Sequence, residues 1–380
     1  MSLREKLERE IREHGPIPFS RYMELCLYDP ELGYYSRNAE QFGKAGDFYT
    51  SSDVHAVFGR LIARQFEEMW RALDSPQQIE ILELGPGRGL FAQDVLDWSK
   101  KKFPDFFNAL SYSLAERSQS LQARLRQKLS DLVESGKASI VGGTLSRALS
   151  PEVPLIIFAN EFFDALPVEV LSSQGELRID IRERRLQETW CQPPPDAIEF
   201  LDRYGVHPEA GERIEVPLLS QDYLAQGARL IRRGFLLIID YGYTREQQLA
   251  GRHRGTITAF RQHSVSANPY EAPGEQDITA HVNFTALGSV AEKNGLQVQP
   301  LLTQSQFLMG IGQQNQFCDA FEECRLPQER AKIALQLKHL VAPAGIGESF
   351  HVLLASKGVA PECVSQIRGM SFGKDSLAHK

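Results

Sequence analysis

The sequence predicts an α/β fold, a parallel sheet wrapped by helices on both faces. Two observations carry this. Short apolar runs alternate with helical patterns through the middle of the chain, and strands separated by helices join a parallel sheet through right-handed crossovers. The composition is also that of an ordinary folded protein: of 380 residues, 42% are hydrophobic and 24% charged, which excludes wholesale disorder. The length suits two domains or one enlarged domain.

The elements follow in order. Leu3, Leu7 and Ile11 recur every fourth residue and predict a first helix, which Gly15 and Pro16 end. An aromatic and proline-rich stretch, IPFSRYMELCLYDPELGYYS, leads to a glycine-bearing segment, FGKAGDFYTSSD. Val54, Val57, Phe58, Leu61, Ile62, Phe66 and Met69 share one face of a strongly amphipathic helix, which Ser51, Ser52 and Asp53 can cap. Residues 79–84 read as a buried strand, with a helix starting near Gly89. Residues 112–115 are a second strand, followed by a helix through Leu121, Leu125 and Leu129. Strands at 139–141, 155–159 and 235–240 complete the central series. Between the last two lies a long excursion, about 168–217, with a hairpin expected at Ser173-Gln174-Gly175. A second insertion, about 244–278, is rich in Gly, Pro, Arg and His, and loops of this length tend to be functional or disordered. Residues 296–300 and 350–355 read as strands flanking a helix at 331–341, and the tail from 358 is expected to fray.

Several function classes fall away. Lys and Arg number 42 against 49 Asp and Glu, a net charge of -7, so no broad nucleic-acid surface is expected. No apolar run exceeds five residues, whereas a spanning helix needs about 20, so membrane insertion is not expected. The start, MSLREKLEREIREHG, mixes acids with bases around no apolar core, unlike a secretory leader or transit peptide. The five cysteines form no Cys-x-x-Cys pair and the histidines form no ligand cluster, so no metal is expected and the compartment reads as reducing.

The most informative local motif is Glu83-Leu84-Gly85-Pro86-Gly87-Arg88-Gly89, directly after a buried strand and before a helix. In open α/β sheets ligands bind at the carboxyl ends of strands, where glycines allow close backbone approach. A dinucleotide requires G-x-G-x-x-G with an acid about 20 residues on. Here Leu90 occupies the third glycine position, and the next strand-end acid, Glu116, lies 27 residues past Gly89. S-adenosylmethionine carries an ammonium, a carboxylate and a ribose diol but no phosphate. Gly85, Gly87 and Gly89 then form the floor for its methionine part, with Glu83 nearby and Glu116 accepting from the ribose hydroxyls. The alternatives are a turn that merely links strand to helix, and for Glu116 an acid at a helix start.

In this order, the segments GDFYTSSDVHAVFG, ELGPGRG, ANEFFDALPVEV, DYGY, GTITAFRQH and GEQDITAHVNF resemble the MidA family over about residues 15–356. The resemblance implies a class I, Rossmann-like S-adenosylmethionine-dependent methyltransferase: a sheet of seven strands, the last one antiparallel, with helical additions. It divides the chain into an N-terminal helical extension over the cofactor site (1–75), a methyltransferase domain (76–357) with the two insertions on the substrate side, and a flexible tail (358–380). It also implies that Gly46, Asp47 and Thr50 approach the cofactor from the extension. Mitochondrial members are complex I assembly factors that methylate an arginine of a core subunit to symmetric dimethylarginine, which implies a protein substrate presenting an arginine. The start of this chain resembles the bacterial type, and predicts a cytoplasmic protein.

The fourth strand ends in Asn160-Glu161-Phe162-Phe163-Asp164, and in the methyltransferase fold this end faces the methyl group. Arginine keeps its proton, with a pKa above about 12, so its nitrogens are poor nucleophiles. Carboxylates can hold the guanidinium as a fork and draw charge away from the attacking nitrogen. Glu161 is the first candidate for that clamp and Asp164 the second. Glu169 has a suitable spacing but is not required by the family pattern. Asn160 binds cofactor or a backbone carbonyl. Asp277 is a catalytic acid or the N-cap of the next helix. His281 accepts the proton lost in methylation or simply packs. Asp240 and Tyr241 are expected at the substrate mouth. The competing functions are a small-molecule methyltransferase and a cofactor-binding scaffold for assembly of a respiratory complex. Fold alone does not separate them. A homodimer is expected only on general grounds.

Overall fold

The computed structural model describes residues 2–36, 56–143, 145, 150–183, 185–250, 255–261, 264–266, 268–342 and 346–372. Gly46, Asp47 and Thr50, and the cap at Ser51, Ser52 and Asp53, lie outside the described residues.

A mostly parallel sheet forms the centre. Its seven main strands, in chain order, are Ile79–Leu84, Leu110–Ala115, Ala138–Val141, Leu155–Asn160, Gly234–Tyr243, Gln297–Val298 and Phe350–Lys357. Across the sheet they lie third, second, first, fourth, fifth, seventh, sixth. The seventh runs antiparallel to the fifth, with Ile238 opposite Leu353. Two short strands pair off this path: Val282–Asn283 with the fifth strand and Leu302–Thr303 with the seventh. The sixth strand, expected at 296–300, is therefore split. Residues 79–84, 155–159 and 234–240 of the first, fourth and fifth strands are continuously buried because both faces are covered. One face packs Phe58, Phe66, Phe91 and Phe158 with the helices Ala56–Ala72 and Leu90–Lys102. The other packs Ile157, Leu236 and Ile238 against Leu224 and Leu287 of the helices Leu218–Leu230 and Phe284–Lys293.

The first insertion builds a second sheet. Glu169–Ser172 and Gly175–Arg182 form the expected hairpin, with Ser172 opposite Gly175, and Arg185–Cys191 and Ile214–Val216 flank it. The second insertion contributes Thr258–Arg261, which pairs with Ser264–Ser266 and Asp277–Thr279. The first helix, Leu3–His14, begins at a capping box between Ser2 and Glu5. It and the helix Phe19–Tyr28 bury Leu7, Ile11, Tyr22 and Met23 against Val170, Ile179 and Ile278 of the inserted strands. The described residues before 76 thus divide their packing: the first two helices cover the insertions, whereas Ala56–Ala72 belongs to the main core.

The tail departs from expectation. Val359, Val364, Ile367 and Met370 are buried in the main core. The Gly369 amide donates to Gln65 Oε1 at 2.9 Å and the Arg368 amide to Glu68 Oε2 at 3.0 Å. The fraying expected from 358 does not apply to 358–372. These apolar residues sit on turns and short helical pieces, Pro361–Ser365 and Arg368–Met370, and so leave no helical period in the sequence.

Candidate functional site

Parallel pairing aligns the strand ends. Leu84 lies opposite both Ala115 and Ala159, and Ile239 opposite Asn160. Gly85, Glu116, Asn160 and Asp240 therefore emerge side by side. The first and fourth strands flank the point where strand order reverses, which is where open α/β sheets leave a crevice. A cavity of about 300 Å³ lies there.

Of the residues singled out by sequence, Glu83, Gly85, Gly87, Glu116, Asn160, Glu161, Asp164 and Asp277 line this cavity. Gly85 and Gly87 have φ of +62° and +52°, backbone that side chains rarely adopt. Gly89 (φ +73°) is not part of the floor. It is the N-cap of the helix Leu90–Lys102, and a Cβ there would lie 2.7 Å from Leu125 Cδ2. Burial pushes the Glu83 carboxyl up to about 8, partly offset by the Tyr112 hydroxyl, which donates to it at 2.9 Å. Burial likewise raises Glu116 to about 7, against the Ser118 amide, which donates to its Oε1 at 2.7 Å.

The deep wall is acidic. Asp164 is 4% exposed. Burial first, then the charges of Asp240, Glu161 and Asp277, hold its carboxyl well above the ordinary range. Asp164 Oδ1 and Asn160 Oδ1 are buried with no hydrogen-bond partner among the described residues. Such atoms are costly unless a ligand or water satisfies them. Glu161 has φ +50°. Asp277 is not a helix N-cap. That place belongs to Asn283, whose side chain accepts from the Ala286 amide. Asp277 opens a strand and accepts from Tyr35 Oη at 2.8 Å.

Three expected residues lie elsewhere. Asp240 is fully buried rather than at a mouth, and its carboxylate accepts backbone amides of the 162–164 loop. Tyr241 packs on Phe350 with ring centroids 3.8 Å apart and stacks on His281. His281 is exposed outside the cavity lining, its amide donating to Thr256 Oγ1. A proton-accepting role is therefore not assigned to it. Glu169 also lies outside the lining and accepts from the Ser20 hydroxyl.

Two tyrosines complete the cavity without having been singled out. Tyr28 donates to Ala165 O at 2.9 Å, and Tyr28 and Tyr35 pack with ring centroids 5.5 Å apart. Asp29 Oδ1 accepts the amides of Glu31 and Leu32, folding the turn that brings Tyr35 back over the strand ends. Ser118 Oγ donates to Tyr35 O at 2.9 Å, and Ser120 Oγ to Ser36 O at 3.2 Å. The only sequence signal was the density of aromatics in LYDPELGYY.

The cavity fits S-adenosylmethionine: glycines for close approach, carboxylates at two neighbouring strand ends, and buried oxygens awaiting donors. Among the described residues, no group of three or more His, Cys, Asp or Glu could hold a metal ion, and no helix is long and apolar enough to cross a membrane.

Comparison with known proteins agrees. Residues 61–302 match a family profile described as S-adenosyl-L-methionine-dependent methyltransferase. A Drosophila melanogaster protein named protein arginine methyltransferase NDUFAF7 homolog, mitochondrial, is 29% identical over 94% of this chain and 85% of its own. The Danio rerio protein arginine methyltransferase NDUFAF7, mitochondrial, is 30% identical over 92% and 85%. The crystal structure of a COG1565-superfamily member from Burkholderia thailandensis, bound to S-adenosyl-homocysteine, superposes with a TM-score of 0.78 at 25% identity, covering 96% of this chain and 94% of that one. The expected cytoplasmic location is corrected by these relatives, two of which are named as mitochondrial proteins. It had rested on the composition of the first residues, which does not decide location. The profile spans well over half of the chain, and the chain belongs to the MidA family of S-adenosyl-L-methionine-dependent methyltransferases.

Proposed function

We propose that the protein methylates a guanidinium nitrogen of an arginine presented by a protein substrate. The observation that carries this is the acidic surroundings of Asp164: after burial, the groups that raise its carboxyl are the carboxylates of Asp240, Glu161 and Asp277. A cation entering the cavity relieves that repulsion, and a planar guanidinium can do so while bonding two carboxylates at once. Relatives named as protein arginine methyltransferases support the same reading.

S-adenosylmethionine supplies an electrophilic methyl group on a sulfonium. The chain supplies position and charge. Glu161, with Asp164 and Asp277 around it, holds the guanidinium and draws positive charge away from the attacking nitrogen. The nitrogen that gains the methyl must lose a proton. Asp164 accepts it once the cation bound beside it has ionised its carboxyl, and burial and its acidic neighbours then raise the proton affinity of that carboxylate. The test is transfer of tritiated methyl from S-adenosylmethionine to arginine peptides and to matched lysine peptides. Label on arginine alone is expected, and label on lysine or only on small molecules sinks the reading.

Glu116 is proposed to accept the ribose hydroxyls, and its raised pKa sets a pH signature. Its carboxylate is the better acceptor when ionised, so S-adenosylhomocysteine should bind more tightly as pH rises from 6 to 8 through about 7. Glu116→Ala should weaken binding about 10–100-fold at pH 8, the worth of hydrogen bonds to a charged group, and remove the change centred near 7 while leaving that of Glu83 near 8. Calorimetry at three pH values checks both. An unchanged affinity in the variant removes Glu116 from the cofactor site.

A further inference from the structure

We propose that Asp240 is a positioning residue that fixes the acceptor clamp. Its buried carboxylate gathers the backbone amides after Glu161 and holds Glu161 in the left-handed conformation that faces it into the cavity. This rests on the reading of Glu161 as the guanidinium clamp.

The geometry is local and specific. The fifth strand runs beside the fourth, and the Glu161 amide donates to Ile239 O at 3.0 Å. The next residue, Asp240, is 0% exposed. Its Oδ2 accepts from the amides of Phe162, Phe163 and Asp164, at 3.2, 2.9 and 3.3 Å. Its Oδ1 accepts from the Tyr241 amide at 2.9 Å. Successive amides converging on one oxygen form a concave anion-binding nest, here filled by the protein's own carboxylate. The residue entering that nest is Glu161, at φ +50°. A non-glycine residue stays in this region only where its surroundings over-determine it. The Ala280 amide donating to Asp164 O at 2.9 Å closes the loop from the other side.

The arrangement also explains why an acid sits among acids. An acceptor that satisfies three amides and a fourth at its second oxygen needs two acceptor atoms and no donor. Asparagine has one of each, so one of its two sites would oppose donor to donor. Burial raises the Asp240 carboxyl to about 7 against the four amides that hold it down, and in its ionised form its charge is one of those that raise Asp164.

Asp240→Asn, Glu161→Gln and the double variant test this in the full chain. The readouts are amide hydrogen exchange, S-adenosylhomocysteine binding, and binding of N-acetyl-arginine amide with S-adenosylhomocysteine present. Asp240→Asn is expected to keep a cooperative melt and to lose far less cofactor affinity than arginine-amide affinity, because Gly85 and Glu116 leave other strands. Arginine-amide affinity should fall about tenfold or more, as when a buried charged acceptor is lost. The double variant should bind no more weakly than Glu161→Gln alone, since both changes remove one clamp. Equal loss of cofactor and arginine-amide binding, or additive losses in the double variant, overturns the proposal. Exchange decides the matter even if Asp240→Asn does not fold: rapid exchange at Phe162–Asp164 in the wild type also overturns it. If the wild type protects these amides but does not bind arginine amide, it is the guanidinium reading that fails.

Discussion

Glu161→Gln is expected to lower methyl transfer about 10²–10³-fold, the scale seen when one preorganised electrostatic partner of a transition state is removed. Cofactor binding should hardly change. Glutamine has the shape of glutamate and the same backbone demands, so the left-handed turn at 161 should persist. What changes is the sign of one atom. An NH2 donor replaces a carboxylate oxygen and faces a guanidinium that has only donors to offer. The loss appears in the step where charge shifts toward the attacking nitrogen, so kcat should fall more than KM rises. Removing the Glu161 charge also lets the Asp164 pKa drift down, weakening the proton acceptor in the same stroke. Single-turnover transfer of labelled methyl, beside calorimetry with S-adenosylhomocysteine, checks this. A variant with full transfer would mean that Glu161 does not touch the acceptor.

Gly85→Ala is expected to abolish cofactor binding at micromolar concentrations and to destabilise the fold. Two costs add at this position. The backbone has φ +62°, which costs an L-residue about 1–2 kcal/mol. The new Cβ would also lie 2.7 Å from Phe162 Cδ2, and overpacking of this kind costs about 1–3 kcal/mol. Phe162 has little room to retreat, because its ring packs on Phe163 at 5.3 Å and Tyr223 at 5.2 Å, and its amide is tied to Asp240. The displacement therefore reaches the carboxylate loop as well as the glycine floor. Gly136→Ala is the control. Its φ is +70° but no atom lies within 4 Å of the added Cβ. It should lower the melting temperature slightly and leave binding intact. Equal binding losses in both variants would show that general destabilisation, not close approach at the Gly85 turn, accounts for the loss.

The strands of the large sheet were legible because burial on both faces writes them as continuous apolar runs, such as Leu155 to Ala159. The same continuity hid the direction of Asp240. A strand without alternation does not say which side chain turns inward, so an acid at its end looked like a mouth residue. Glu83, Gly85, Glu116 and Glu161 were legible because parallel strands place their carboxyl ends on one rim. Tyr35 was not, because its partner Asp277 is 242 residues away and no local pattern reports such a contact. The packed tail escaped for a related reason: Val359, Val364, Ile367 and Met370 follow the shape of a groove between helices rather than a period of their own.

Tyr35 also joins two halves of the cavity. Its hydroxyl bonds Asp277 on the acceptor side, while its carbonyl accepts from Ser118, two residues beyond Glu116 on the cofactor side. A molecule that displaces this strut from one side disturbs the other. Free energy of this kind is reciprocal: whatever factor the donor molecule imposes on the affinity for the acceptor, the acceptor must impose on the donor. Ligands coupled through Tyr35 therefore strengthen or weaken each other by the same factor, whichever binds first.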